Sequence, residues 1–156
     1  MLQVKKITEE GPELEAVRRL FSDYQEELGV DLCFQGFDRE LAQPLSKYGA
    51  PNGVVFLAFY HNEPAGCIAL KPLEEEGVCE MKRLYVPPVY RGHGIGEQLV
   101  TALLDAAREL GYKTMKLDTL ARLQSAIKMY KAYGFEEVPA YYNNPNEDVV
   151  YMEKKL

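Results

Sequence analysis

Apolar and polar residues alternate through Leu2, Gln3, Val4, Lys5, Lys6 and Ile7, which predicts a half-buried strand over residues 2–7. The period then changes. Leu14, Val17, Leu20, Phe21, Tyr24 and Leu28 recur at three- and four-residue spacing, the stripe of an amphipathic helix. Gly11-Pro12-Glu13 opens that helix and Gly29 stops it. Residues 30–36 read as loop, and residues 37–45 as a short second helix broken at Pro44. After the turn signal Ala50-Pro51-Asn52-Gly53, the unbroken apolar run 54–60 predicts a central strand. His61-Asn62-Glu63 is a hairpin turn, with a partner strand over 64–70.

A solvated turn over 72–77 leads to the stretch that organises the chain. Residues 79–86 form a strand. Pro87 and Pro88 end it, the loop Arg91-Gly92-His93-Gly94-Ile95-Gly96 follows, and a long amphipathic helix runs to Gly111. A strand over 113–118, a helix over 123–133 stopped by Gly134, a short strand over 135–138, a loop over 141–146 and a last strand over 149–154 complete the pattern. The order predicts one mixed α/β domain, α+β in character, with a largely antiparallel first half.

Composition narrows the function classes. The chain has 156 residues, a size suited to one domain with a full core. A net charge of −6 disfavours a nucleic-acid binder that relies on a basic surface. No apolar run approaches the ~18 residues of a membrane span, and the first residues lack the apolar core of a secretory signal. Cys33, Cys67 and Cys79 are odd in number and form no CxxC pair, so neither a disulfide framework nor a metal site is expected. The expected compartment is the reducing cytoplasm.

The glycine loop carries the chemistry. Glycines at 92, 94 and 96 let main chain approach a ligand closely. The following helix start offers unpaired N–H groups and a positive dipole end to an anion. No Gly-Lys-Ser/Thr follows, so the loop is not a nucleotide P-loop. Nor is it the dinucleotide fingerprint, since Glu97 stands where a glycine is required.

Three motifs together resemble the GNAT superfamily of acetyl-CoA-dependent N-acetyltransferases. They are Arg91-x-x-Gly94-x-Gly96, Lys82-Arg83-Leu84-Tyr85-Val86-x-Pro88 upstream, and Ala126-x-x-x-Tyr130-x-x-x-Gly134-Phe135 downstream. The likeness covers residues 54–138 well and the first ~50 residues only in element order. It implies a twisted sheet splayed between its fourth and fifth strands, with acetyl-CoA in the opening. It implies that Leu84, Tyr85 and Val86 pair with the pantetheine arm and that the Leu84 amide polarises the thioester carbonyl. Arg91, Gly92, His93, Gly94, Ile95, Gly96 and Glu97 would then surround the pyrophosphate. Tyr130 fits the position of a general acid that protonates the departing thiolate.

Further assignments are open. Glu80 is read either as a general base acting through a water, its pKa raised by burial, or as a solvent-facing strand residue. Ser125, beside Gln124, begins the second cofactor helix, where the asparagine of many family members is absent. Lys131 or Lys128 would meet the 3′-phosphate, or else a solvated face. Asp118 would orient the acceptor. Glu26, Glu27, Asp31, Phe34 and Phe37 would shape its pocket, where carboxylates suit a cationic amine. The acceptor is expected to be a small or amino-acid-like primary amine. A peptide acceptor and a non-catalytic acetyl-CoA-binding module are the alternatives. A homodimer paired through residues 149–152 is also compatible with the pattern.

Overall fold

The computed structural model describes residues 1–29 and 36–156. The expectations for Asp31, Cys33 and Phe34, and most of the loop expected over 30–36, lie outside the described residues. The elements run β1 (Leu2–Lys6), α1 (Pro12–Leu28), α2 (Phe37–Ala42), α3 (Pro44–Tyr48), β2 (Val54–Tyr60), β3 (Glu63–Pro72), β4 (Val78–Tyr85), α4 (Ile95–Glu109), β5 (Thr114–Leu120), α5 (Gln124–Ala132), β6 (Glu136–Val138) and β7 (Val149–Lys155). The helix expected over 37–45 is broken at Pro44, as the sequence suggests, and the chain there continues as a second helix. Pro44 begins α3, at a first-turn position where its missing N–H costs nothing.

The strands form one sheet in the order β1-β2-β3-β4-β5-β7-β6. Every neighbouring pair is antiparallel except β4 and β5. β2 is buried on both faces, which explains its unbroken apolar run: Val54, Phe56 and Ala58 pack on the α4 side, Val55 and Leu57 on the α1 side. The His61-Asn62 turn takes positive φ at both residues, 50° and 67°, as a tight two-residue hairpin requires. β7 lies inside the sheet, paired with β5 on one side and β6 on the other. Of the residues 149–152 expected to pair across a dimer, Tyr151 and Met152 have β6 on their other side, while Val149 and Val150 are laddered to β5 alone.

Two features place the site. First, β4 and β5 share a ladder only at Val78–Thr114, Cys79–Met115 and Glu80–Lys116. Beyond Glu80 they diverge, and the predicted splay opens. Second, β4 carries a bulge. Its pairing with β3 jumps from Ala69–Lys82 to Cys67–Tyr85, and within the extra length Arg83 adopts φ 60°. A left-handed conformation costs a residue with a Cβ about 1–2 kcal/mol, so something must hold it. Gly66 on β3 lets α4 sit close above this region: a Cβ there would stand 3.1 Å from both Leu99 Cδ1 and the Tyr85 carbonyl oxygen.

Candidate active site

A cleft of about 870 Å³ fills the splay, within the ~300–1,000 Å³ usual for a small-molecule site. One end is built by the glycine loop and the first turn of α4. Gly92 and Gly94 have φ of 87° and 77°, left-handed values that suit glycine. Gly94 caps α4 with no side-chain hydrogen bond. Among the described residues, the main-chain N–H groups of Gly92, His93, Gly94, Ile95, Gly96 and Glu97 have no acceptor; the first helical bond is from Gln98 N–H to the Gly94 carbonyl. All of these residues except His93 line the cleft. A row of unpaired donors at a helix N-terminus can receive a diphosphate with no further device.

The side chains around the loop divide into those that face the cleft and those that do not. Arg91 donates to the Val86 carbonyl at 2.8 Å and to Glu27 Oε2 at 2.6 Å. Tyr85 O–H donates to the other oxygen of Glu27 at 3.0 Å. The end of α1, the end of β4 and the loop are thereby tied together, and the Val86 carbonyl is already used. His93 turns its ring away: it stacks on Tyr60, with centroids 4.7 Å apart. Its main chain stays with the loop, and its ring has a structural place outside the cleft. Lys131 does differ from its expected place at the cofactor. It is exposed, pairs with Glu137 at 3.6 Å and does not line the cleft. Ser125 does line it, with Gln124, Ala126 and Met129.

Tyr130 reaches the cleft from α5. Its ring packs edge-on to Phe135 at 5.9 Å and is 6% exposed. No hydrogen bond to its hydroxyl is found among the described residues, and no fully enclosed side-chain oxygen lacks a partner. The hydroxyl is therefore open to the cleft. Burial, helped by the negative charge of Asp118, pushes its pKa well above 10. Tyr133 has a structural task instead: its hydroxyl donates to the Glu97 carbonyl at 2.8 Å and pins α5 to α4.

Glu80 does not line the cleft. It is 2% exposed, accepts the Tyr141 hydroxyl at 2.6 Å, and faces Lys82 at 3.5 Å and Lys71 at 3.9 Å. The solvent-facing reading is also excluded. The strand alternation could not show that the loop over 141–146 folds back over this face. Asp118 does line the cleft, and it accepts Lys82 Nζ at 3.1 Å and the Tyr142 hydroxyl at 2.8 Å. Of the N-terminal residues, Glu27 lines the cleft, Glu26 is exposed and Phe37 is a buried core residue. Asn144 also lines it, from the loop whose Tyr141-to-Pro145 stretch resembles an acceptor-side loop of the family, and so do Arg122, Tyr24 and Asn146, which were not singled out from the sequence. Each is brought there by a loop or helix end whose position depends on the sheet order.

Behind β4 lies a cluster that spacing does not reveal. Arg83 grips Glu40 of α2 through Nε and Nη2, at 2.6 and 2.9 Å. Glu40 also accepts Tyr48 O–H at 2.8 Å and Lys47 Nζ at 2.9 Å. Burial alone would raise the Glu40 carboxyl, but the hydrogen bond and charge of Arg83, with Lys47, outweigh it and hold the pKa below the ordinary 4.5. A depressed folded pKa adds stability that is present above about pH 4.5 and lost as pH falls through the folded value. Burial also pushes Tyr24 and Tyr85 up to about 12, which adds stability present below about pH 10 and lost as pH rises through about 12. Differential scanning fluorimetry is thus expected to give a plateau in Tm from about pH 5 to 10, falling on both sides. Glu40→Gln should flatten the acid limb. An acid limb of equal steepness in that variant would refute the assignment.

Comparison with known proteins agrees with this geometry. The profile of the acetyltransferase (GNAT) family matches residues 14–135. An uncharacterized N-acetyltransferase of Schizosaccharomyces pombe is 43% identical over 145 residues, spanning 92% of this chain and 89% of that protein. An uncharacterized N-acetyltransferase of Escherichia coli is 30% identical over 79% of this chain and 76% of its own length. The crystal structure of an acetyltransferase from Streptococcus agalactiae superposes with a TM-score of 0.80 at 22% identity, covering 99% of this chain and 98% of that one, a likeness of fold. The chain belongs to the GNAT family and is an acetyltransferase.

Proposed function

We propose that this enzyme moves the acetyl group of acetyl-CoA to the primary amine of a small, amino-acid-like acceptor, with both substrates bound at once. The observation that carries the reading is the meeting, in one cleft, of the unpaired N–H row of residues 92–97 with the open hydroxyl of Tyr130. The N–H row holds the diphosphate. The unpaired edge of β4 beyond Glu80 runs beside the pantetheine arm, and the Leu84 amide donates to the thioester oxygen as it gains negative charge. The amine nitrogen bonds to the carbonyl carbon, the C–S bond breaks, and Tyr130 gives its proton to the thiolate sulfur. The raised pKa of Tyr130 keeps the phenol protonated until that moment. The proton lost by the amine passes to cleft water. Glu80 acts at one remove, by holding Tyr141 and its loop in place.

The charges of the acceptor end narrow the substrate. Glu27 and Asp118 are already taken by Arg91 and Lys82, so they are poor partners for a polycation. Arg122 has the Leu28 carbonyl as its partner and no carboxylate among the described residues. An acceptor that brings its own carboxylate fits this balance. Release of CoA thiol from acetyl-CoA, measured with amino acids and their decarboxylated amines in matched pairs, tests the reading. The acid member is expected to have the higher kcat/KM, by roughly 10–100-fold, the span of one charge-assisted contact. Arg122→Gln should remove the preference mainly through the KM of the acceptor. Equal or faster turnover of the decarboxylated members would rule out the acidic acceptor, and a preference for a peptide over both would rule out the small one.

A further inference from the structure

We propose that Glu40 is a positioning residue for acyl transfer: through its buried pair with Arg83 it holds the β4 bulge in the shape that aims the Leu84 amide into the cleft. The inference rests on the acetyl-CoA reading above. It adds a part of the machinery that touches neither substrate and comes from a helix outside the β4–α4 loop unit.

The peptide between Arg83 and Leu84 is where the bulge acts. Its carbonyl oxygen accepts the thiol of Cys67, on β3, at 3.3 Å. In a trans peptide the N–H points opposite to the C=O. The Leu84 N–H is therefore turned away from Cys67 and toward the open side of β4, where Leu84 lines the cleft. This orientation depends on the φ of 60° at Arg83, a conformation that persists only when the surroundings over-determine it.

The surroundings that do so are unusually complete. The guanidinium meets Glu40 as a two-bond fork, with side-chain exposures of 3% for Arg83 and 0% for Glu40. A fork fixes direction as well as distance, because the guanidinium is planar. Phe37 lies against it, 5.5 Å from ring centre to guanidinium carbon. Tyr48 and Lys47 fill other acceptor positions of Glu40, so the carboxylate has little freedom to turn. A buried ion pair contributes little net stability compared with apolar residues of the same volume. What it supplies here is geometry, at the one residue whose backbone sets the direction of the Leu84 amide.

The test reads the thioester carbonyl directly. Acetyl-CoA labelled with ¹³C at the carbonyl is bound to the full chain, and its C=O stretch is recorded by isotope-edited infrared difference spectroscopy. In the wild type the bound band is expected below that of free acetyl-CoA. In Glu40→Gln, which keeps the size and loses the charge, the displacement should shrink by at least about half and kcat should fall roughly 10²-fold, the cost of about 1 Å of misplacement. The Kd for acetyl-CoA should stay within about threefold, since the N–H row is untouched. A purely structural Glu40 would lower Tm and leave the band where it was. If Glu40→Gln does not fold, Tyr48→Phe carries the test: it keeps the fork, and a smaller displacement in the same direction is expected. A wild-type band in whichever variant folds, or no displacement in the wild type, overturns the proposal. No binding of acetyl-CoA by the wild type would instead overturn the functional reading beneath it.

Discussion

Tyr130→Phe is expected to lower kcat by roughly 10²–10³-fold, within the range that general acid catalysis supplies. The same substitution should leave the KM for acetyl-CoA within about twofold. The reasoning begins with what the hydroxyl does not do. Among the described residues it has no hydrogen-bond partner, so removing it orphans no buried group and opens no cavity beyond one oxygen. The ring keeps its edge-on contact with Phe135, and Tm should move little. What is lost is the proton for the thiolate, which then has to leave as an anion in a cleft that includes Asp118 and Glu97. Steady-state kinetics by thiol release, beside a melting curve, separates the outcomes. A kcat unchanged within threefold removes Tyr130 from the mechanism. A loss of kcat that tracks a loss of Tm would make it a packing residue.

Gly94→Val is expected to weaken CoA binding by about 100-fold or more in titration calorimetry. That is the loss of roughly two charge-assisted hydrogen bonds at about 1.5–3 kcal/mol each. Crowding is not the cause, since a Cβ at Gly94 would meet only Glu97 Oε2, at 3.9 Å. The cause is φ, 77° in this chain, where a β-branched residue is a genuine outlier. To relieve the strain the loop must rotate, and the unpaired N–H groups of residues 92–97 are re-aimed with it. The start of α4 is still held by Ile95 and Leu99, both buried, so the fold should survive with a modest drop in Tm. Affinity within threefold of wild type would mean that the diphosphate is gripped elsewhere.

The parts of this molecule that could be read from the sequence are those whose pattern is local. β2 showed itself because both its faces are buried. α4 showed itself through Ile95, Leu99, Val100, Leu103 and Leu104, a stripe at helical period. The glycine loop was legible because left-handed backbone at Gly92 and Gly94 leaves a compositional trace. Parts that depend on how distant segments meet left no such trace. Glu40 and Arg83 stand 43 positions apart, and nothing in either neighbourhood announces the other. Glu80 and Lys131 were placed by strand and helix period, which gives a face and not what covers it. The loop over 141–146 covers Glu80, and Glu137 draws Lys131 outward. The interior position of β7 follows from strand order, which period cannot supply.

The short ladder between β4 and β5 has a mechanical consequence. Strands β1–β4 form one continuous raft and β5–β7 another, and among the described residues their main-chain ties lie at one end of the seam, in the three pairs from Val78–Thr114 to Glu80–Lys116 and the Lys113 and Thr114 N–H bonds to the Gly77 carbonyl. Other ties across the seam are side chains, such as Lys82 to Asp118 and Tyr133 to the Glu97 carbonyl. Relative movement of two laddered bodies concentrates where the fewest bonds resist it. The seam is thus a compliant line through the middle of the sheet, along which a change in the width of the slot need break no rung elsewhere.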